Sequence, residues 1–314
     1  MQPDKLRSSN DRAKGCLPWR PGDDPPEAAG SSGRYGRATM DVDVQYDPDP
    51  LAADFCALMQ QLDLGTLGFE LQSRVTIVVE DSDEFRCEAI FGVVRISRGF
   101  VVGTAMIASA WLGLYRAVVA SLPADGRVTD LTCPELAGAA TQVRESVLAL
   151  LTGHPATAPA NWGTDVLGLR LVSGMWLTLV LHELAHLRAQ ELLEGPAEEI
   201  ECDRLACEAL VPLGGSALPD VLLGLAAGFM LLLIWDVHQP RQPTTHPPAL
   251  ERVRANLSPR LGEDDQPLWA FIGFVASLHI QAVGIEPIQR HQSLKEWAEY
   301  CISSTFPQQV DRSS

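Results

Sequence analysis

The segment that most constrains this chain is Leu-His-Glu-Leu-Ala-His-Leu at residues 181–187, which contains the pattern H-E-x-x-H. Apolar, helix-favouring residues surround it, so the segment predicts a helix. Residues four apart lie on one helix face, and His182 and His186 can therefore direct two imidazoles at one metal ion. Glu183 lies beside that face, where its carboxylate can reach a water molecule without binding the metal. The pattern predicts a zinc site with Glu183 as general base, and the alternative is a buried helix with two hydrogen-bonded histidines.

A catalytic zinc needs three protein ligands and one open position, so a third ligand must come from elsewhere in the chain. The leading candidate is Glu199. Asp203 lies four residues later on the same helical face, where it can hydrogen-bond a ligating histidine and fix its tautomer. Glu201, on the other side of that helix, and Glu208 remain as alternative ligands. The remaining interpretation is an acidic helix start that binds no metal.

The two helices that carry these residues must be connected so that the second returns toward the first. Asn161, Thr164 or Asp165 can cap the start of the histidine helix. At 1.5 Å per residue, a helix continuing to residue 194 would carry the chain well past the histidines. We therefore expect the helix to end soon after Gln190, with residues 191–197 as a loop.

The rest of the chain predicts a mainly α (α+β) protein, a helical zincin-like domain with a small antiparallel sheet. Alternating β-branched residues and helical apolar spacing indicate the elements. Strands are predicted at 74–80 and 85–97, the latter broken at Gly92, and helices at 48–64, 100–122, 134–151, 197–210 and within 250–303.

The domain organisation follows from a change in composition near residue 40. Residues 1–40 are rich in Pro, Gly, Ser and charge, which is typical of a disordered tail. Residues 41–314 are predicted to form one domain. Its metal core spans about residues 85–257, and residues 258–314 form a C-terminal helical region.

The net charge limits the class of binding partner, and the cysteines indicate the cellular compartment. A net charge of -16 argues against nucleic-acid binding, which needs a cationic surface. The seven cysteines include no C-x-x-C pair, and no secretory signal is visible at the amino terminus. We expect a cytoplasmic protein, with the inner face of the membrane as the alternative.

Four apolar runs raise the question of membrane association: residues 100–115, 167–181, 221–235 and 268–285. A spanning helix needs about 20 apolar residues, and each run is shorter or is interrupted by polar residues. We expect buried core helices, and attachment through residues 221–235 stays open.

Three motifs in order resemble those of gluzincin-type zinc metallopeptidases: His182-Glu-Leu-Ala-His186, Glu199-Ile-Glu-Cys-Asp203 and Thr-His246-Pro-Pro-Ala-Leu-Glu-Arg252. The last is similar to an element of the HtpX and CaaX-prenyl-protease group and of the phage-exclusion Lit peptidases. The acidic helix resembles that of ImmA/IrrE regulatory peptidases. The resemblance covers about residues 85–257.

The resemblance implies a Zn²⁺ enzyme in which Glu183 takes a proton from water and later delivers it to the leaving amine. His246 is a candidate donor to the oxyanion or a fourth ligand, unless it only forms a turn. Arg252 is expected to pair with an acidic residue of the metal helices or to be exposed.

We therefore expect a zinc metalloendopeptidase that cleaves an intracellular protein substrate, in stress response or phage defence. The alternatives are a non-catalytic regulatory module on the same scaffold and a membrane-attached protease. Many zinc peptidases hold the substrate backbone on an edge strand beside the metal, which offers a role for the predicted sheet if it is more than a packing layer. The sequence does not indicate the oligomeric state.

Overall fold

The computed structural model describes residues 40–46, 48–63, 75–122, 134–152, 165–189, 195–238, 247–262, 265–283 and 293–305. These residues form a small sheet and a larger helical layer, as the mainly α prediction requires. The strands are β1 Met40–Val44, β2 Val75–Glu80, β3 Cys87–Ile90 and β4 Val93–Ser97. The helices are α1 Pro50–Gln60, α2 Arg98–Ser121, α3 Pro134–Leu151, α4 Val166–Ala189, α5 Pro196–Leu210, α6 Leu218–His238, α7 Ala249–Asn256, α8 Gln266–Val283 and α9 Leu294–Thr305.

The sheet is mixed, so the prediction of an antiparallel sheet is wrong. Its strand order is β1-β2-β4-β3, and only the β3–β4 pair is antiparallel. β1 pairs with β2 in parallel because α1 lies between them in the chain and carries it back to the same end. β3 folds onto the outer side of β4, which leaves β4 parallel to β2 and β3 at the edge. β1 itself was not predicted, and it begins at Met40, inside the expected tail.

The predicted break at Gly92 is the turn of the β3–β4 hairpin. Its two turn residues, Phe91 and Gly92, both have positive φ, at 49° and 81°. Two consecutive positive φ values are typical of a two-residue hairpin turn whose twist matches that of the strands. The hairpin places β3 directly against α4.

One face of the sheet packs on the helices and the other is polar. The buried face carries apolar side chains from β2 and β4: Val75, Ile77, Val79, Val94 and Ile96. The opposite face carries an ion-pair network in which Glu80 contacts Arg86 and Arg95. Cys87 and Ala89 of β3 pair with Ile96 and Val94, so their side chains lie on the buried face.

α4 is the central helix and contacts α2, α5 and α6. Asp165 caps its start, accepting hydrogen bonds from the backbone N–H groups of Leu167 and Gly168 at 3.1 and 3.3 Å. The other predicted caps, Asn161 and Thr164, lie outside the described residues. α4 ends at Ala189, close to the predicted end, and α5 begins at Pro196, so residues 196 and 197 of the predicted loop are helical.

Glycines allow α4 and α6 to approach closely. A Cβ added at Gly174 would lie 2.7 Å from the Cα of Gly224, and one added at Gly228 would lie 2.7 Å from the Cβ of Thr178. Both pairs advance in the same chain direction, so the two helices run parallel at this contact. The contact anchors α4 just before the histidine pattern begins.

Three helices within the described residues are long and apolar enough to cross a membrane, judged by length and composition: Arg98–Ser121, Val166–Arg188 and Leu218–Trp235. More than half of each apolar window is buried inside the protein, at 67, 56 and 72% respectively. Much of their apolar surface is therefore covered by neighbouring helices.

Candidate metal centre

The first turn of α5 lies against the part of α4 that carries the histidine pattern. His182 is buried and His186 is half-buried, and their imidazoles are edge-on to each other with ring centroids 4.8 Å apart. Glu199, in the first turn of α5, is 7% exposed and lies next to both rings. The structure thus brings together the two histidines and the leading candidate for the third ligand.

The distances between these donor atoms fit a single small cation. The two Nε2 atoms of His182 and His186 lie 3.2 Å apart. One carboxylate oxygen of Glu199 lies 3.4 Å from Nε2 of His182, and the other lies 3.5 Å from Nε2 of His186. A tetrahedral zinc ion with bonds of about 2.0–2.1 Å separates its ligand atoms by about 3.3 Å. The residues present therefore fit zinc.

Two further carboxylates lie behind the histidines and set their tautomers. Nδ1 of His182 lies 2.9 Å from Oδ1 of Asp203, and Nδ1 of His186 lies 2.9 Å from Oε1 of Glu198. A carboxylate only accepts hydrogen bonds, so in a neutral ring a carboxylate beside Nδ1 favours the tautomer with the proton on Nδ1 and the lone pair on Nε2. With both rings neutral, two lone pairs would face each other beside the Glu199 carboxylate, and a metal ion or a proton between them removes that repulsion.

The electrostatics of the site also favour a cation. Burial opposes protonation of His182, but Asp203 and Glu199 outweigh it and raise its pKa to about 10. Burial alone would raise the pKa of Asp203, yet the adjacent Arg252 guanidinium holds that pKa below its usual value. Burial raises the pKa of Glu183, with the nearby histidines opposing the shift. Carboxylates thus outnumber fixed cations around the two imidazoles.

Glu183 is held by the edge strand of the sheet. Its Oε2 accepts a hydrogen bond of 2.9 Å from the backbone N–H of Ala89 in β3. The carboxylate is half-buried and follows His182 directly in the chain. It lies beside the donor cluster but is not one of its members, which is the position that a general base requires.

Arg252, on α7, contacts the two acidic residues of α5 that lie next to His182. It is fully buried, and its Nε and Nη2 donate to the two oxygens of Asp203 at 2.7 and 2.8 Å. Nη2 also lies 3.6 Å from Oε2 of Glu199, and the guanidinium lies 5.9 Å from the ring centroid of Phe229. Arg252 therefore pairs with acidic residues of α5, which was one of its two predicted roles.

The alternative third ligands have other partners. Glu201 accepts hydrogen bonds from Arg204 at 2.7 and 2.5 Å, and Glu208 lies 2.5 Å from the same guanidinium. Neither belongs to the donor cluster with the histidines. His246 lies outside the described residues, so its predicted role stays a prediction.

Sequence reasoning missed three residues near the site. Glu198 was not predicted to contact a histidine, and Ala89 acts through its backbone N–H, which leaves no signal in the sequence. Cys202 joins His186 and Glu198 in a second group whose ligand atoms lie within 4.8 Å of one another. Burial and the nearby carboxylates raise the pKa of Cys202, and a protonated thiol is a poor metal ligand.

Comparison with known proteins points to a peptidase. Residues 174–272 match the family model described as Peptidase U49. The matched segment contains the histidine pattern, Glu199, Asp203 and Arg252, and it begins after the sheet. No curated protein and no solved structure matches the chain at a significant level. The family match supports a peptidase that acts on a protein substrate.

Proposed function

We propose that this chain is a zinc-dependent metalloendopeptidase that hydrolyses peptide bonds in an intracellular protein. The observation that carries the proposal is the convergence of Nε2 of His182, Nε2 of His186 and the Glu199 carboxylate at distances of 3.2–3.5 Å. Glu183 beside this cluster and the Peptidase U49 match support hydrolysis over simple metal storage.

The chain's own residues divide the work of the reaction. A zinc ion held by His182, His186 and Glu199 supplies Lewis acidity toward a water molecule and the scissile carbonyl. Glu183 takes a proton from that water as its oxygen bonds to the carbonyl carbon, and gives the proton to the leaving amine as the C–N bond breaks. The Ala89 N–H orients the Glu183 carboxylate for both transfers.

The open edge of β3 supports an extended mode of substrate binding. The carbonyl of Arg86 accepts from the N–H of Ser97, so residues 86, 88 and 90 direct their backbone groups toward β4. Cys87 and Ala89 therefore direct theirs to the outer edge, where the N–H of Ala89 is donated to Glu183, so a substrate would pair through the other backbone groups of these two residues. A substrate segment paired with this edge would cross the site with its backbone fixed and its side chains alternating.

Metal analysis with matched variants tests the proposal. Purified protein should contain about one zinc per chain, and His182→Ala should lose it. Glu183→Gln should keep the zinc but abolish cleavage, which a comparison of newly cut termini in cells expressing each protein would reveal. Glu201→Gln is the control, because this acid pairs with Arg204 and should alter neither. A metal-free wild type, or undiminished cleavage by Glu183→Gln, would refute the proposal.

We place the activity in the cytoplasm. All described cysteines have free thiols, which supports a reducing compartment. The three long apolar helices favour a second candidate, a peptidase attached to the inner face of the membrane. Extraction of membranes with high salt and carbonate separates the two, since an embedded chain stays in the pellet and a cytoplasmic one does not.

A further inference from the structure

Phe91 occupies a position that folding alone does not favour. It lies at the tip of the β3–β4 hairpin, where its side chain is 96% exposed. Its φ of 49° is in the left-handed region, where bulky residues are rare and where Asn or Gly suits this type of turn. Neither the exposure nor the backbone conformation stabilises the fold, so an external contact is the better explanation for a phenylalanine here.

The position of Phe91 relative to the site indicates what that contact is. It lies two residues after Ala89, so its Cα is at most about 7 Å from that of Ala89. The Ala89 N–H in turn reaches Glu183 at 2.9 Å. An extended segment paired with β3 would therefore pass Phe91 within one or two residues of the bond being cut.

The neighbouring side chain indicates the chemistry of the contact. Ile90, the last residue of β3, is also exposed, at 36%. Ile90 and Phe91 are thus two exposed apolar residues at one end of the edge strand, while Glu88 and Arg86 make the preceding part of the strand charged. A bulky apolar side chain packed against these two residues would release water from both partners, and this is the most favourable contact that they can make.

We propose that Phe91 is a specificity-determining residue, which contacts a large aliphatic or aromatic side chain of the substrate segment paired with β3. This inference rests on the proposed function. It assigns to the enzyme a preference for extended protein segments with a bulky apolar residue at one fixed position from the scissile bond.

A cleavage profile tests this proposal. The zinc-loaded full chain is incubated with a peptide library derived from a digested proteome, and the residues around each new terminus are counted. Wild type should show enrichment of bulky apolar residues at one position. Phe91→Asn should lower the preference there about tenfold while other positions keep theirs. Because Asn suits the turn, the variant should also melt about 2 °C higher.

Leu148→Asn is the matched control, because this side chain is 61% exposed on α3 and should leave the profile unchanged. A wild-type profile without an apolar preference overturns the proposal. An apolar preference that persists in Phe91→Asn also overturns it. The proposal is also overturned if Phe91→Asn keeps the wild-type cleavage profile and instead loses self-association or binding to lipid vesicles, because Phe91 would then contact a second copy or a membrane. An absence of any cut that depends on Glu183 would instead refute the proposed function itself.

Discussion

Replacing Asp203 with Asn tests whether the buried carboxylate behind His182 prepares the metal site. Asp203 is fully buried, lies 2.9 Å from Nδ1 of His182 and accepts two hydrogen bonds from Arg252. The carboxylate can only accept, so in the neutral ring it favours the proton on Nδ1 and leaves the lone pair on Nε2 for a metal ion. The amide of Asn can also donate to Nδ1, which would stabilise the tautomer that cannot bind the metal through Nε2.

We expect two effects in Asp203→Asn, a lower zinc affinity and a lower free energy of unfolding. Loss of such a partner lowers metal affinity about 10- to 100-fold, which corresponds to about 1.4–2.8 kcal/mol. Arg252 would also lose the ionised partner that it contacts at 2.7 and 2.8 Å, while Glu199 lies farther away, at 3.6 Å. Breaking a buried ion pair in this way should reduce the free energy of unfolding of the metal-free protein by about 3–5 kcal/mol.

Glu198→Gln provides a control with the same contact distance but a different environment. Glu198 also lies 2.9 Å from a histidine Nδ1, that of His186, yet its side chain is 20% exposed. Water can replace part of the lost interaction, so the loss of zinc affinity should stay below about tenfold.

Competition between each metal-free protein and a chromogenic zinc chelator at pH 7 measures the affinities, and urea unfolding measures the stabilities. Zinc affinity in Asp203→Asn equal to that of wild type would refute the reasoning. A larger loss in Glu198→Gln than in Asp203→Asn would refute it equally.

Three further predictions follow from other contacts. Ala89→Pro removes the N–H that holds Glu183 but leaves an edge strand, which tolerates proline, so kcat/KM should fall about tenfold with zinc content kept. Steady-state kinetics on a cleaved peptide checks this, and Ala89→Gly should behave as wild type; equal losses in both variants would contradict it. In the metal-free protein His182 has a pKa of about 10, raised from 6.5, so its stabilising contribution is complete below about pH 6.5 and is lost as the pH rises through 10. Zinc binding at pH 8 should therefore release about one proton, which calorimetry in buffers of different ionisation enthalpy detects, and zero release would exclude a protonated His182. Finally, Gly174→Ala places a methyl group 2.7 Å from the Cα of Gly224 and should lower the free energy of unfolding by about 1–3 kcal/mol, so an unchanged urea midpoint would argue against close α4–α6 packing.

The residues of the candidate site were predictable where one helix determines their arrangement. His182 and His186 share a face of α4 because they are four residues apart, and Glu199 and Asp203 share a face of α5 for the same reason. The structure brings both pairs to one place. The role of Glu198 was not predictable, because it depends on how α5 is rotated against α4, and that rotation is set by packing along both helices.

The direction of strand pairing in the sheet could not be predicted from local sequence patterns. The alternation of β2, β3 and β4 along the chain identified strands but not their direction of pairing. One parallel pair, β1–β2, depends on β1, whose five residues, Met40–Val44, directly follow a polar, low-complexity segment, and the other, β2–β4, depends on β3 lying outside β4. The close contact between Gly174 and Gly224 is also a property of two distant segments, and neither glycine indicates it alone.

The donors of the candidate metal centre come from one short stretch of chain, residues 182–199, whereas Ala89 comes from 94 residues upstream of Glu183. Bringing together nearby segments costs less chain entropy than bringing together distant ones. If the site binds zinc as proposed, mild denaturant should therefore detach β3 from α4 while the α4–α5 pair still holds the ion. The protein would then pass through a state that retains zinc but no longer cuts, so chelation and turnover would end at different denaturant concentrations.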